Sequence, residues 1–185
     1  MSACHKDYVA PSDSVKKGGG STGLTTTGLT GSKTTAANDT TKGYMHVQLA
    51  MGNTATADII IEFDPAASAV YSNARDARTF PGGGAPISLS SLSSDNVALA
   101  INQLPLVSSG TKVGLAVGAI NTGQYTLNLT QISTTIPAAV QIWLKDAHNK
   151  DSLDFRRYPS YIFNINKSDS TTYGSHRFCL VLREK

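Results

Sequence analysis

From Gly43 to the C-terminal end the chain keeps a two-residue rhythm, and no stretch of ten or more residues carries a helical stripe. Met45, Val47, Leu49 and Met51 alternate with Tyr44, His46 and Gln48. The same phase returns at Ile59, Ile61 and Phe63, then at Val97, Leu99 and Ile101, and again at Val113, Leu115 and Val117. It continues through Tyr125, Leu127 and Leu129, then Val140, Ile142 and Leu144, then Tyr161, Phe163 and Ile165, and ends with Phe178, Leu180 and Leu182. Successive side chains of a strand point to opposite faces, so each run reads as a half-buried strand. Turn residues separate the runs: Gly52-Asn53, Pro81-Gly82-Gly83-Gly84, Ser108-Ser109-Gly110, Asn121-Thr122-Gly123, His148-Asn149-Lys150-Asp151 and Tyr173-Gly174. The spacing predicts an all-β body, an antiparallel β-sandwich of immunoglobulin-like or jelly-roll-like type with about eight to ten strands. The Asn-Thr-Gly and His-Asn-Lys-Asp stretches are expected as its hairpin turns.

Ahead of this body the character changes. Residues 12–42, SDSVKKGGGSTGLTTTGLTGSKTTAANDTTK, are Ser, Thr, Gly and Lys with few apolar side chains. Such a tract buries too little surface to offset the entropy of ordering it, so it is expected to be a disordered tether spanning about 30 Å as a coil. The predicted organisation is therefore residues 1–42 as a flexible leader and 43–185 as one β domain, a size that supports one core. The formal charge of +3 carries no concentrated basic run, which argues against nucleic-acid binding. No apolar run is long enough to form a membrane-spanning helix.

Ser2-Ala3-Cys4 resembles the end of a bacterial lipobox, where small residues lead to a cysteine that is acylated, and His5-Lys6-Asp7-Tyr8 resembles the start of mature lipoproteins of Bacteroidota. Met1 stands where that motif usually has Leu, and the charged and apolar parts of a signal are missing ahead of it. What the resemblance implies is a lipid on Cys4 and anchorage to the outer membrane, each buried methylene contributing about 0.8 kcal/mol. A chance cysteine near a terminus and a bridge from Cys4 to Cys179 are the alternatives. Asp13-Ser14-Val15, Asp39-Thr40-Thr41, Asp151-Ser152-Leu153 and Asp169-Ser170-Thr171 resemble an O-glycosylation acceptor of the same bacteria, against which stands plain turn chemistry.

Four stretches in order, DNVALAINQLP, VGLAVGAINTGQYTLNLT, VQIWLKDAHNKDSLDFRRYPSYIFNI and HRFCLVLR, together resemble a β-sandwich module of Bacteroidota surface proteins that is often found just ahead of a type IX secretion sorting domain. YSNARDAR, residues 71–78, resembles the Asp-Ala-x-basic segment of that module. The likeness covers about residues 43–185 and implies a sandwich displayed at the cell surface, with no particular activity attached. Lys185 follows directly on the last strand, so the lipoprotein route is expected in place of the type IX one.

No catalytic constellation stands out, and the chain is expected to be neither an enzyme nor a cofactor or metal protein. His5, His46, His148 and His176 lack zinc spacing. The Gly82-Gly83-Gly84 loop lacks the Lys and Ser/Thr of a phosphate cradle. Asp146, Asn149 and Asp151 offer oxygens at short spacing, but a hairpin turn is favoured over a calcium loop because the stretch has no glycine. Asp76 and Asp95 are separate loop carboxylates. Trp143 falls on the opposite side of its strand from Val140, Ile142 and Leu144, so it is either a stacking platform for a sugar or partner, or packed under a covering loop. Arg156, Arg157 and Tyr158 are candidates for the rim of a contact site. Cys179 alternates with Phe178 and Leu180, on the side of Arg177, Val181 and Arg183, and is expected as a free, half-buried thiol. The function that follows is a non-catalytic cell-surface lipoprotein carrying a structural or interaction module. The alternative is a carbohydrate-binding module, with a glycan or another surface protein as partner.

Overall fold

The computed structural model describes residues 42–80, 84–105 and 110–184; Cys4, His5, the tract up to residue 41, Gly82 and Gly83 lie outside them. Within the described residues the alternation becomes eleven strands: β1 (Gly43–Met51), β2 (Ala55–Phe63), β3 (Ala77–Arg78), β4 (Ile87–Leu92), β5 (Ala98–Leu104), β6 (Thr111–Ala119), β7 (Gly123–Ile132), β8 (Val140–Asp146), β9 (Asp151–Asp154), β10 (Ser160–Ile165) and β11 (Gly174–Glu184). One 3-10 turn, Ser170–Thr172, precedes β11. The protein is all-β.

All the strands belong to one sheet, in the order β10-β7-β1-β2-β5-β4-β6-β11-β8-β9, with the short β3 beside β5. Its pairings are antiparallel except one: β2 and β5 run parallel, Ile60 opposite Ile101 and Phe63 opposite Leu104. The sheet is therefore mixed, where a purely antiparallel arrangement was expected. Parallel neighbours need a long connection, and the stretch from Asp64 to Val97 supplies it. Periodicity reports that a segment is a strand and says nothing of which distant strand lies beside it.

The sheet curls until its two ends nearly meet. β10 stands first in the order and β11 near the other end, yet the Phe163 and Phe178 rings lie 4.7 Å apart at 68°, an edge-to-face contact. Inside the curl the predicted phases are buried: Met45, Val47 and Leu49 of β1; Ile59, Ile61 and Phe63 of β2; Val113, Leu115 and Val117 of β6; Ile142 and Leu144 of β8; Leu180 and Leu182 of β11. β5 departs from its predicted phase. Leu99 is buried as expected, but Asn102 and Leu104 then take the inward positions and Ile101 is only half-buried. The register against β3 shifts at this point, and Asn102 meets the need for a partner by donating from Nδ2 to the Leu92 carbonyl at 3.4 Å.

Two turns were expected as hairpins, and they part ways. β8 and β9 do form a hairpin across residues 147–150, with Lys150 at φ 55°. The Asn121-Thr122-Gly123 stretch does not: β6 pairs with β4 and β11, whereas β7 pairs with β1 and β10. The link is an arch that carries the chain from one part of the curled sheet to another. Tyr125, 1% exposed, explains the difference, because its hydroxyl donates to the Asn121 carbonyl at 2.7 Å and holds the corner in the manner of a tyrosine corner. Burial also pushes the Tyr125 hydroxyl pKa up, so it remains a donor. Tyr125→Phe keeps the ring and removes this bond. It is expected to lower the unfolding free energy by about 1 kcal/mol, read as a lower urea midpoint with an unchanged far-ultraviolet spectrum.

Candidate functional site

On β8 the inward series Val140, Ile142, Leu144 continues to Asp146, which is 2% exposed. A carboxylate in that phase must be paired, since an isolated buried charge is prohibitive. Its partner is Arg177 of β11, 3% exposed. Arg177 Nη2 donates to Asp146 Oδ2 at 2.9 Å and Nε donates to Oδ1 at 3.1 Å, the bidentate geometry that favours guanidinium over ammonium. Arg177 Nη1 donates in addition to the carbonyls of Asn164 on β10 at 2.7 Å and of Thr172 in the 3-10 turn. The guanidinium carbon lies 4.7 Å from the Phe163 ring centroid and 4.8 Å from that of Phe178, a desolvated cation–π arrangement.

Asp146 accepts four further bonds: from the backbone N–H of His148 at 2.9 Å and of Asn149 at 3.2 Å, from Asn149 Nδ2 at 3.1 Å and from the Tyr161 hydroxyl at 3.1 Å. Burial opposes its charge, but the hydrogen bonds and charge of Arg177, with the Asn149 and Tyr161 bonds, outweigh that and hold the carboxyl below the usual carboxylate range. Tyr161 moves the other way. Burial pushes its hydroxyl up, opposed by the Asn149 bond and reinforced by the Asp146 charge. No buried side-chain nitrogen or oxygen among the described residues lacks a partner.

The oxygens that a calcium loop would use are engaged in this network. Asp146 is directed at Arg177, Asn149 presents its amide nitrogen to Asp146, and Asp151 Oδ1 accepts the Ser152 N–H at 2.7 Å. The other loop carboxylates are structural too. Asp76 accepts from the N–H groups of Ser72 at 2.7 Å and Gln103 at 2.8 Å, and Asp95 from that of Tyr71 at 3.0 Å. Asp76 thus fastens the YSNARDAR loop to β5. Asp169 caps the 3-10 turn, accepting from the Thr171 N–H at 2.9 Å and hydroxyl at 2.7 Å. The Thr171 bonds lower its pKa. At Asp64, the Ala66 N–H leads and the neighbouring Lys42 and Arg75 cations add to the same downward shift.

The opposite face of β6-β11-β8-β9 carries the outward side chains of these strands. Strand register sets them in rows: Gly114, Cys179, Lys145 and Ser152 in one, and Lys112, Val181, Trp143 and Asp154 in the next. A cavity of about 380 Å³ opens beside these rows, its wall including Lys112, Lys145, Lys150, Asp151, His176 and Val181. Trp143 is half-buried, as the strand phase required of an outward residue; its Nε1 donates to Gln141 Oε1 at 3.3 Å and the Arg183 guanidinium lies 5.1 Å from its ring.

The other predicted contact residues are not gathered around Trp143. Arg156 is spent on the fold: Nη1 donates to the carbonyls of Pro137 and Val140 at 2.6 Å each, and Nη2 to that of Ile136 at 3.0 Å. Arg157 and Tyr158 are exposed together in the β9–β10 turn, the guanidinium 5.3 Å from the tyrosine ring. A separate hollow of about 210 Å³ involves Gln141, Asp154, Arg156 and Arg157, and not Trp143. Arg177, read from the sequence as outward, is buried because the register of β11 shifts between Gly174 and Phe178. Cys179 corrects another expectation. It is 6% exposed and disulfide-bonded, not a free thiol.

The chain matches no family model, no curated protein and no solved structure.

Because the folded pKa of Asp146 lies below its unfolded value near about 3.9, its contribution to stability is present above the unfolded value and lost as pH falls through the folded one. The wild-type urea midpoint is expected to hold from neutral pH down to about pH 5 and to drop below about pH 4. Asp146→Asn should lose about 3–5 kcal/mol at neutral pH and respond less to acid.

Proposed function

We propose that the chain is a non-catalytic module exposed at the cell surface, and that the outer face of β6-β11-β8-β9 captures a glycan. The observation that carries this reading is Trp143: a large aromatic ring left half-buried on an outward strand position, next in register to a cavity. The core does not need it, and aromatic rings at solvent-facing positions are suited to stacking on apolar sugar faces. Further support comes from the carboxylates with displaced pKa values, Asp64, Asp146 and Asp169, each occupied in holding backbone or an ion pair. At the finer level of architecture, we read the curled sheet as two packed layers of a sandwich, β10-β7-β1-β2 against the remainder, joined by the parallel β2–β5 contact and by the Tyr125 arch. The order of the four stretches resembling the Bacteroidota surface module supports the same assignment.

A disulfide at Cys179 favours an oxidising compartment outside the cytoplasm. Acylation of Cys4 is the proposed means of retention, supported by Ser2-Ala3-Cys4 and the polar tract that follows. The chain has two cysteines, so an acylated Cys4 would leave the Cys179 disulfide to a cysteine of another chain. Membrane fractionation of the gene product against Cys4→Ala decides the matter: release of the variant into the soluble fraction is expected, and equal partitioning of both forms rejects acyl anchorage.

Ligand capture is tested on a panel of neutral and acidic oligosaccharides by calorimetry. Trp143→Ala should weaken binding by at least about tenfold, or 1.4 kcal/mol, with an unchanged melting temperature. Absence of binding to every member of the panel, or full binding by Trp143→Ala, rejects the glycan reading.

A further inference from the structure

The hollow of about 210 Å³ opens where Gln141 of β8, Asp154 of β9, and Arg156 and Arg157 of the β9–β10 turn meet. Trp143 is not in its wall, yet two of its residues adjoin that ring. Asp154 stands directly opposite Trp143 in register, and such cross-strand neighbours share a face with Cβ atoms about 5 Å apart. Gln141 lies two residues before Trp143 on the same face, and its Oε1 accepts the indole N–H at 3.3 Å. Arg183 comes to the ring from β11, on the far side of β8 from Asp154. The walls are tied to each other. Arg156 donates to the carbonyls of Ile136, Pro137 and Val140, which fastens the β9–β10 turn to the segment entering β8. The Arg157 N–H donates to Asp154 Oδ1 at 3.2 Å. Beyond that bond the Asp154 carboxylate has no hydrogen-bond or ion-pair partner among the described residues, and the exposed Arg157 guanidinium and Gln141 Nε2 donate to none of them.

We infer that this hollow is the polar half of the Trp143 site and receives the hydroxyl groups of a neutral saccharide. The inference rests on the glycan reading above and adds the class of glycan and the residues that recognise it. A sugar hydroxyl is both a donor and an acceptor. Asp154 offers acceptor oxygens, and Arg157 and Gln141 Nε2 offer donors, so adjacent hydroxyls give their protons to the carboxylate and take bonds from the two nitrogen groups. An acidic substituent would suit Arg157 but would meet the Asp154 carboxylate beside it as a like charge. The combination therefore favours uncharged hydroxyls. Size sets a second condition. The volume of about 210 Å³ falls below the roughly 300 Å³ at which sites for whole small ligands begin, so the hollow takes one ring of a chain whose neighbouring ring lies on Trp143. Arg156 and the Asp154 turn fix its walls beforehand, and little ordering is needed on binding.

The test uses the full chain and calorimetry with three probes: a cello-oligosaccharide and a manno-oligosaccharide as neutral chains, and oligogalacturonate as an acidic one. A neutral probe should bind at least about tenfold more tightly than the acidic one, with an affinity that added salt leaves unchanged. Asp154→Asn keeps an oxygen for the Arg157 N–H and removes the charged acceptor. It should weaken neutral binding at least about tenfold at an unchanged melting temperature. Arg157→Ala removes a guanidinium that donates to nothing among the described residues and should weaken neutral binding by about the same factor; should Asp154→Asn lower the melting temperature, this second variant decides alone. Full neutral binding by Arg157→Ala, or by a stably folded Asp154→Asn, overturns the inference, and a loss confined to Trp143→Ala leaves the glycan reading standing. An acidic probe bound as tightly as the neutral ones overturns it as well. No binding of any probe removes both readings together.

Discussion

The closure of this sheet depends on a charge placed where strand phase demands an apolar side chain. Asp146 continues the inward series of β8, and Arg177 reaches it from β11 while also binding Asn164 on β10 and Thr172 beside it. Strands β8, β10 and β11 and the 3-10 turn are tied through one guanidinium. A hydrophobic contact at the same place would bury area without specifying register, whereas the bidentate pair is satisfied in one alignment of β8 against β11. Replacing both partners by apolar residues of similar volume is often neutral for stability. The pair's contribution is then better located in the alignment it enforces, with the Phe163–Phe178 contact as its apolar complement.

That alignment propagates outward. The β8–β9 turn hangs from the Asp146 carboxylate through the N–H groups of His148 and Asn149, and Lys150 follows in the same turn. His176 precedes Arg177 in the chain. The rim of the cavity is thus built on the backbone that the buried pair holds, and the outward row of Trp143, Val181 and Lys112 on the register it sets. Inward and outward faces of the same two strands divide the work: one face fixes the curl, the other presents side chains the core does not use. Side chains set on strands in this way have less freedom to adjust than side chains on loops.

Much of this was legible in the sequence because strand phase is a local property. Met45, Val47 and Leu49, or Val140, Ile142 and Leu144, declare their buried side without reference to any neighbour, and Trp143 declares the opposite side by the same rule. What was not legible is non-local or depends on a one-residue slip. The Asn121-Thr122-Gly123 corner has the chemistry of a hairpin turn, and only the partners of β6 and β7 reveal an arch. In β5 a shift turns Asn102 inward in place of Ile101, and in β11 another shift buries Arg177. The signal for the central pair was nevertheless present. A carboxylate two residues beyond Leu144, in unbroken core phase, requires a buried cation, and Arg177 lies one residue before the phase of Phe178, Leu180 and Leu182. The cavity had no such signal, since Lys112, Lys145, Lys150 and His176 converge only through strand order.

The cysteines set a final constraint on how such a face could be displayed. The chain has two, Cys4 and Cys179, and Cys179 is engaged in a disulfide on the same outer face as Trp143 and Lys145. Sulfur in a thioether cannot also be half of a disulfide, so an acylated Cys4 would require Cys179 to pair with a cysteine of another chain. Any anchorage through Cys4 must therefore be reconciled with the Cys179 disulfide on the outward row of β11.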